Sequence, residues 1–206
     1  MQIYKVEQID KKKSKIFIEG KEPIVLYKGE IRRLGLTQNS ELEYSEYEKI
    51  MVEIVQKRAY LRLLHLLDIR DYTEYQLRDK LKKGDYPSEA IDYAINKVIE
   101  YGYIDDNRYA YNYIVSCIKT RSAGRIKQDL IRRGINKKYI DLAFEKTSED
   151  GLFQNTSEMI RKILNKRHYY DNEQNSEQRA KQFKYLLGKG FSPSDILKEL
   201  KLDISM

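Results

Sequence analysis

The chain has 206 residues, of which 41% are hydrophobic and 34% charged, and its formal net charge is +7. This length suffices to bury a hydrophobic core, and no window approaches the roughly 18 uninterrupted apolar residues of a membrane-spanning helix. The single cysteine, Cys117, excludes an internal disulfide, and His65 and His168 form no zinc-ligand spacing. Residues 1–10 lack the apolar region of a secretory signal. We therefore expect a cytoplasmic protein without a metal or other cofactor.

Short alternating runs near the N-terminus predict β-strands. Residues 2–9 and 14–26 alternate polar and apolar side chains, as in Lys15-Ile16-Phe17-Ile18-Glu19. A period of two residues is typical of a strand with one buried face. We therefore expect two or three strands in a small N-terminal extension, residues 1–50.

From Glu30 onward, apolar residues recur at spacings of three and four, which predicts helices. One pattern within this region occurs three times: an apolar or aromatic anchor follows a glycine within two residues and has apolar residues five before, five after and nine after it. The anchors are Tyr86, Ile135 and Phe191, which are 49 and 56 residues apart. Internal repeats of this length are typical of stacked helical units.

Each repeat is predicted to contain three helices. A glycine in the left-handed conformation ends the second helix before the anchor, at Gly84, Gly134 and Gly190. The first helices are predicted at residues 59–67, 108–119 and 157–167. We therefore predict a mainly α fold of tandem three-helix, helix-turn-helix-like repeats in an elongated arrangement. The predicted repeats span residues 51–104, 105–150 and 151–206.

Several polar residues are suited to begin these helices. Asn136 and Ser192 follow two of the anchors and can cap the next helix with their side chains. Two further segments have the spacing of a capping box: Thr73 with Gln76, and Ser45 with Glu48.

Residues that would carry catalysis are scarce. The adjacent carboxylates Asp105 and Asp106 could form a catalytic or metal-binding pair, but they follow Gly102, and we favour the interpretation that they begin a helix. Cys117 lies on an apolar stripe with Tyr113, which predicts a buried thiol. The chain contains no nucleophile–base set and no glycine-rich phosphate loop. We therefore expect no catalytic residues and a protein that acts by binding.

Positive charge is concentrated between residues 119 and 138, which hold eight basic residues and one acidic residue. On a helix, Arg121, Arg125 and Arg132 would fall within about 40° of one another. The apolar residues of the same stretch would lie on the opposite side: Ala123, Ile126 and Leu130. We interpret the arginine stripe as a surface that binds phosphate or carboxylate groups. The alternative is an ordinary solvated helix face.

Further basic residues extend the predicted binding surface. Arg133 and Lys127 lie in the same stretch, and Lys181 and Lys184 lie in the third repeat. Together with the arginine stripe, they form the candidate site for nucleic acid or a partner protein.

Four spaced motifs together resemble the RecX family of regulatory proteins, over roughly residues 55 to 202. They are Leu77-x-x-x-Leu81-x-x-Gly84-x-Tyr86, Gly102-Tyr103-Ile104-Asp105-Asp106, Gly124-x-x-x-x-x-Leu130-x-x-x-Gly134-Ile135 and Phe183-x-x-Leu186-Leu187-x-x-Gly190-Phe191-Ser192. The chain departs from the family pattern at Asp85, which separates Gly84 from the aromatic anchor.

The resemblance implies a modulator of the RecA recombinase. Members of the family dock in the groove of the RecA filament on single-stranded DNA, and they lower strand exchange, ATP turnover and co-protease activity. The implied partners are the RecA filament and single-stranded DNA, with weaker binding of duplex DNA as a further option; we expect a monomer that does not bind membranes. Two alternatives stay open: a helix-turn-helix DNA-binding protein that acts without RecA, and a helical scaffold without affinity for DNA.

Overall fold

The computed structural model describes residues 1–171 and 175–200; the end of the third predicted repeat, residues 201–206, lies outside the described residues. The chain divides into two compact units, residues 1–105 (unit 1) and 106–206 (unit 2). A small N-terminal sheet precedes a long series of helices. The predicted mainly α class with a small β-containing N-terminal part is confirmed.

Three antiparallel strands form the sheet, in the order β1 (Ile3–Gln8), β2 (Lys13–Ile18) and β3 (Ile24–Tyr27). The predicted strands are therefore confirmed. Side chains alternate between the two faces of β2, and Ile16 and Ile18 are buried on the inner face. The inner face therefore contributes to the core, and the other side of the sheet faces solvent.

Five α-helices and one π-helical turn complete unit 1. They are α1 (Lys28–Arg33), α2 (Tyr44–Ile50), the π-helical turn (Met51–Gln56), α3 (Lys57–Ile69), α4 (Glu74–Lys82) and α5 (Ser88–Glu100). One hydrophobic core joins the sheet to these helices, since Ile16, Leu63 and Leu77 belong to the same cluster. The predicted N-terminal extension thus shares its core with the first predicted repeat.

Six α-helices and one 3-10 turn form the described part of unit 2. They are α6 (Asp106–Cys117), α7 (Ala123–Arg132), α8 (Lys137–Glu149), α9 (Thr156–Lys166), the 3-10 turn (Tyr169–Asp171), α10 (Ser176–Gly188) and α11 (Pro193–Glu199). Helices α6 to α8 enclose one core and α9 to α11 another. The first helices predicted for the three repeats correspond to α3, α6 and α9. Cys117 is buried, as predicted.

The turns before the anchors share one geometry, but the glycine prediction was wrong in the first repeat. Gly134 and Gly190 both have φ of 83°, whereas the left-handed residue of the first turn is Asp85, with φ of 58°. In all three turns, the left-handed residue directly precedes the anchor, and the anchor N–H donates to the carbonyl five residues earlier. Gly84 lies one position too early, and Asp tolerates the left-handed region better than most residues do. Asp85 therefore takes the place that glycine has in the other two turns.

Three of the four predicted caps are confirmed. The side chains of Asn136 and Ser192 accept backbone N–H bonds at the starts of α8 and α11, and Thr73 caps α4 in a capping box with Gln76. The capping box predicted at Ser45 was wrong, because α2 has its N-cap at Glu43. Ser45 consequently lies inside the first turn of that helix, where its side chain cannot take the capping position.

Candidate nucleic-acid interface

Unit 2 contains a groove of about 700 Å³ whose lining includes residues of α7 and α10. Five cationic side chains and one carboxylate line this basic groove: Arg121, Arg125, Arg133, Lys184, Lys189 and Asp129. Four of these cations, Arg121, Arg125, Arg133 and Lys184, belong to the candidate site predicted from the sequence, and the fifth is Lys189. The fold thus brings basic residues of the second and third predicted repeats to one concave surface.

Helix α7 forms one wall of the basic groove. Ser122 caps it by accepting the backbone N–H of Arg125, and Ile126 and Leu130 are fully buried on its inner side. Burial of this apolar stripe turns the basic side chains toward solvent. The helix begins at Ala123, so the assignment of Arg121 to the helix was wrong. Ala123 itself is only half-buried. Arg121 precedes the cap and reaches the same surface from the preceding loop.

Asp129 joins the three arginines of the predicted stripe. Its carboxylate oxygens lie 2.8 Å from Nη1 of Arg121, 3.4 Å from Nε of Arg125 and 3.7 Å from Nη1 of Arg132. The Asp129 side chain is 11% exposed. One carboxylate cannot neutralise three guanidinium groups, so the cluster keeps a net positive charge. Its shared contacts restrain the cations, and the contact with Arg121 is the shortest.

Two tyrosines of α6 hold the arginines from behind. The Tyr113 hydroxyl accepts a hydrogen bond from Nη1 of Arg121 at 2.6 Å and donates one to Asp129 at 3.2 Å. The Arg133 guanidinium lies 4.5 Å from the centre of the Tyr113 ring and donates to the Tyr109 hydroxyl at 2.9 Å. Burial raises the pKa of Tyr113, which keeps the phenol protonated and able to donate. Tyr113 was predicted only as part of an apolar stripe, and the polar contacts of the two hydroxyl groups were not predicted.

The α10 wall carries lysines in place of arginines. Lys184 and Lys189 are exposed, and neither forms an ion pair with any residue in the described ranges. Nζ of Lys189 lies 5.3 Å from the centre of the Tyr185 ring, and the Arg167 guanidinium lies 3.9 Å from the same ring. The lysine ammonium groups on this wall can therefore turn toward an anion without breaking an ion pair.

Backbone contact between α7 and the end of α10 sets the two walls of the basic groove. A Cβ atom added at Gly124 would lie 2.3 Å from the carbonyl oxygen of Gly190. Beside this contact, the Ser122 hydroxyl donates to the carbonyl of Lys189 at 2.6 Å. The Gln154 side chain accepts a hydrogen bond of 3.0 Å from the first backbone N–H of α7. The second and third predicted repeats consequently meet through backbone, which leaves no room for a side chain at Gly124.

Three predicted site residues do not line the basic groove. Lys127 pairs with Asp141 on α8 at 2.9 Å, and its Nζ lies 5.2 Å from the centre of the Phe144 ring. Arg132 reaches Asp129 but is not among the residues that line the groove, and Lys181 is exposed on α10 before the groove begins. For Lys127, the fold supports a structural role more directly than one in binding.

Metal and membrane sites receive no support from the described residues. Residues 1–171 and 175–200 contain no group of three His, Cys, Asp or Glu side chains that could hold a metal ion. Within the same ranges, no helix has the length and apolar character needed to cross a bilayer. Helix α6 begins at Asp106 and Gly102 has φ of 67°, which fits the helix-start interpretation of the carboxylate pair.

Comparison with known proteins gives a consistent family assignment. Models of the first, second and third three-helix domains of RecX match residues 59–97, 105–143 and 156–200. The regulatory protein RecX of Caldanaerobacter subterraneus subsp. tengcongensis is 30% identical over 91% of both chains, and that of Clostridium acetobutylicum is 28% identical over 97% of this chain and 94% of the relative.

Solved structures agree with these matches. A crystal structure of a regulatory protein RecX superimposes with a TM-score of 0.63 at 28% identity, over 98% of this chain and 99% of the other. The structure of RecX from Lactobacillus salivarius gives a TM-score of 0.59 at 25% identity, over 74% of this chain and 100% of the other. The resemblance inferred from the spaced motifs is therefore confirmed, and the chain belongs to the RecX family of regulatory proteins.

Proposed function

We propose that this protein is a non-enzymatic modulator, mainly an inhibitor, of the RecA recombinase. It acts in the cytoplasm as a monomer that binds the RecA filament on single-stranded DNA, and it thereby regulates recombination, DNA repair and the SOS response. Membership of a family of regulatory proteins supports the proposal at the level of the whole chain. The observation that carries it is the basic groove, because five cations converge there around a single carboxylate.

The groove has the chemistry that a nucleoprotein filament requires. Single-stranded DNA presents a row of phosphates, and binding through Lys and Arg releases the counterions that surround them. Arginines held in fixed positions give phosphate contacts a defined geometry, and flexible lysines add attraction with less directional demand. A surface that combines both kinds of cation can bind the phosphate backbone of a DNA strand that is partly covered by protein. Such contacts do not depend on the base sequence.

The decisive experiment measures ATP hydrolysis by RecA on single-stranded DNA. The wild-type chain, added in amounts comparable to RecA, is expected to lower the rate. A variant with Lys184→Gln and Lys189→Gln loses two exposed groove cations and should inhibit less. The matched control, Lys137→Gln with Lys138→Gln, removes two exposed lysines at the start of α8, outside the groove, and should inhibit as the wild type does.

Direct binding separates the main proposal from its alternatives. Affinity for RecA-coated single-stranded DNA should exceed affinity for bare duplex DNA of the same length. Tight, sequence-specific duplex binding without any effect on RecA would instead identify a helix-turn-helix DNA-binding protein. Absence of both RecA inhibition and salt-sensitive DNA binding would leave only the scaffold interpretation.

A further inference from the structure

The outer face of the N-terminal sheet combines two exposed aromatic rings and one half-buried ring with lysines. Phe17 lies on the middle strand, and its ring centre is 6.0 Å from that of Tyr4. Nζ of Lys5 lies 5.0 Å from the centre of the Phe17 ring, and Nζ of Lys13 lies 5.3 Å from that of Tyr27. We call these five residues the outer sheet face. Their neighbours on β2, Ser14, Ile16 and Ile18, are buried on the inner side.

A break in the register of β1 creates this arrangement. Ile3 pairs with Ile18, whereas Lys5 pairs with Phe17, so Tyr4 and Lys5 together oppose one residue of β2. In a regular strand, Lys5 would point to the same side as Ile3, which is fully buried. The bulge lets both Tyr4 and Lys5 face solvent beside Phe17. Bulges of this kind often re-aim side chains at binding sites.

Packing within the protein accounts for only part of these rings: Phe17 is half-buried, and the Arg58 guanidinium lies 4.7 Å from the centre of the Tyr27 ring. Tyr4 is 53% exposed and Tyr27 is 38% exposed, so neither ring serves as core filler. The local charge is positive as well, because residues 1–28 hold seven lysines and four acidic residues. Exposed rings and cations side by side are the two features that single-strand binding surfaces combine: bases stack on the rings and phosphates approach the ammonium groups.

We propose that the outer sheet face is a second nucleic-acid site, which takes one or two unpaired bases of a single strand by stacking on Tyr4 and Phe17. Lys5 and Lys13 contact the flanking phosphates. Lys5 now lies over the Phe17 ring and forms an ion pair with Glu7. Both contacts are exposed and therefore weak, so an incoming strand replaces them at little cost. Duplex DNA keeps its bases stacked on one another and is a poor ligand for this face. The site belongs to unit 1 and does not depend on RecA, which takes it beyond the function proposed for the basic groove.

The test compares two oligonucleotides of equal length and charge, oligo-dT and the corresponding abasic chain. Stacking of a base on an aromatic side chain is worth enough that the wild-type protein should bind oligo-dT at least about fivefold more tightly. The double variant Tyr4→Leu with Phe17→Leu should lose this preference while its dependence on salt stays unchanged. The control Tyr75→Leu removes an exposed tyrosine of α4 and should keep the preference.

A second measurement avoids the variants altogether. An oligonucleotide that carries 5-bromodeoxyuridine is irradiated with the wild-type protein, and the linked peptide is identified by mass spectrometry. We expect the link at Tyr4 or Phe17, and we expect it to persist in the Lys184→Gln, Lys189→Gln variant. Equal affinity for the two oligonucleotides, or links found only elsewhere, would overturn the proposal. Loss of RecA inhibition in the sheet variant with an intact preference for oligo-dT would also overturn it, in favour of a protein contact.

Discussion

The two walls of the basic groove hold their cations in different ways. On the α7 wall, Arg121 and Arg125 share the carboxylate of Asp129. On the α10 wall, Lys184 and Lys189 form no ion pair within the part of the chain that the structure describes. The α7 wall therefore has preorganised cations that share a carboxylate, and the α10 wall has cations on flexible side chains with no such carboxylate. If the basic groove binds phosphates as proposed, the α7 wall positions them and the α10 wall attracts them.

A substitution that forces the two walls of the basic groove apart should have the largest effect on stability. In Gly124→Ala, the new methyl group would lie 2.3 Å from the carbonyl oxygen of Gly190, and backbone on both sides cannot yield without moving a helix. We expect a loss of about 2–4 kcal/mol in the free energy of unfolding, toward or above the upper end for overpacked sites, because the methyl group meets backbone on both sides. Denaturant unfolding followed by circular dichroism measures this change.

Gly188→Ala is the matched control for that experiment. Gly188 is the last residue of α10, and a Cβ atom there would meet nothing within 4 Å. Alanine at this position should leave stability unchanged or raise it slightly, because it restricts the unfolded chain. If the two alanine variants were equally stable, the close backbone contact would not be what holds the walls together.

The contact between glycines also shows where prediction from sequence reached its limit. Strands, helices and most caps followed from local patterns, because apolar spacing and residues such as Asn136 and Thr73 act within one turn of the chain. The contact of Gly124 with Gly190 joins residues far apart in sequence, and no local pattern reports it. The same holds for the ion pair of Lys127 with Asp141, which also joins two different helices.

Removal of the Asp129 carboxylate tests the α7 wall of the basic groove on its own. In Asp129→Asn, three arginines lose their common counter-ion at a side chain that is only 11% exposed. We expect a loss of about 1–3 kcal/mol in the free energy of unfolding, because neighbouring guanidinium groups then repel one another. Affinity for single-stranded DNA should rise, since no carboxylate competes with phosphate.

The control for this variant is Asp141→Asn, which also removes a carboxylate from an ion pair. Asp141 is exposed and pairs with a single lysine, so its loss should cost less than about 1 kcal/mol. Weaker DNA binding by Asp129→Asn would mean that positioning of the arginines by Asp129 matters more than competition of its carboxylate with phosphate. The expected rise in affinity would then be wrong.

Paired substitutions on each wall compare the two directly. Arg121→Gln with Arg125→Gln and Lys184→Gln with Lys189→Gln each remove two charges from the basic groove. If these cations neutralise phosphates, each variant should flatten the slope of log affinity against log salt by about 1.4 for single-stranded DNA. The arginine pair should in addition lower the melting temperature, because its loss disrupts the network around Asp129. Fluorescence anisotropy at several salt concentrations measures the slopes, and thermal melting measures the stability. Equal melting temperatures of the arginine and lysine variants would contradict the difference between the two walls.

The smallest effect on stability is expected from removal of the Tyr113 hydroxyl, which supports the α7 wall. Tyr113→Phe removes a group that accepts from Arg121 and donates to Asp129, and its loss should cost about 1 kcal/mol at neutral pH. Burial raises the pKa of Tyr113 above its usual 10.0, so the folded chain keeps the phenolic proton to higher pH than the unfolded chain does.

That difference fixes the direction of the pH dependence. Since the folded state binds more protons between the unfolded and folded pKa values, the free energy of unfolding should fall as pH rises above about 10. Tyr113→Phe should weaken this fall, whereas Tyr139→Phe, which changes an exposed ring on α8, should not. Denaturant unfolding at pH 9 and at higher pH measures the difference. An identical pH dependence in both variants would contradict the burial of the Tyr113 phenol and with it the support that this hydroxyl gives to Arg121 and Asp129.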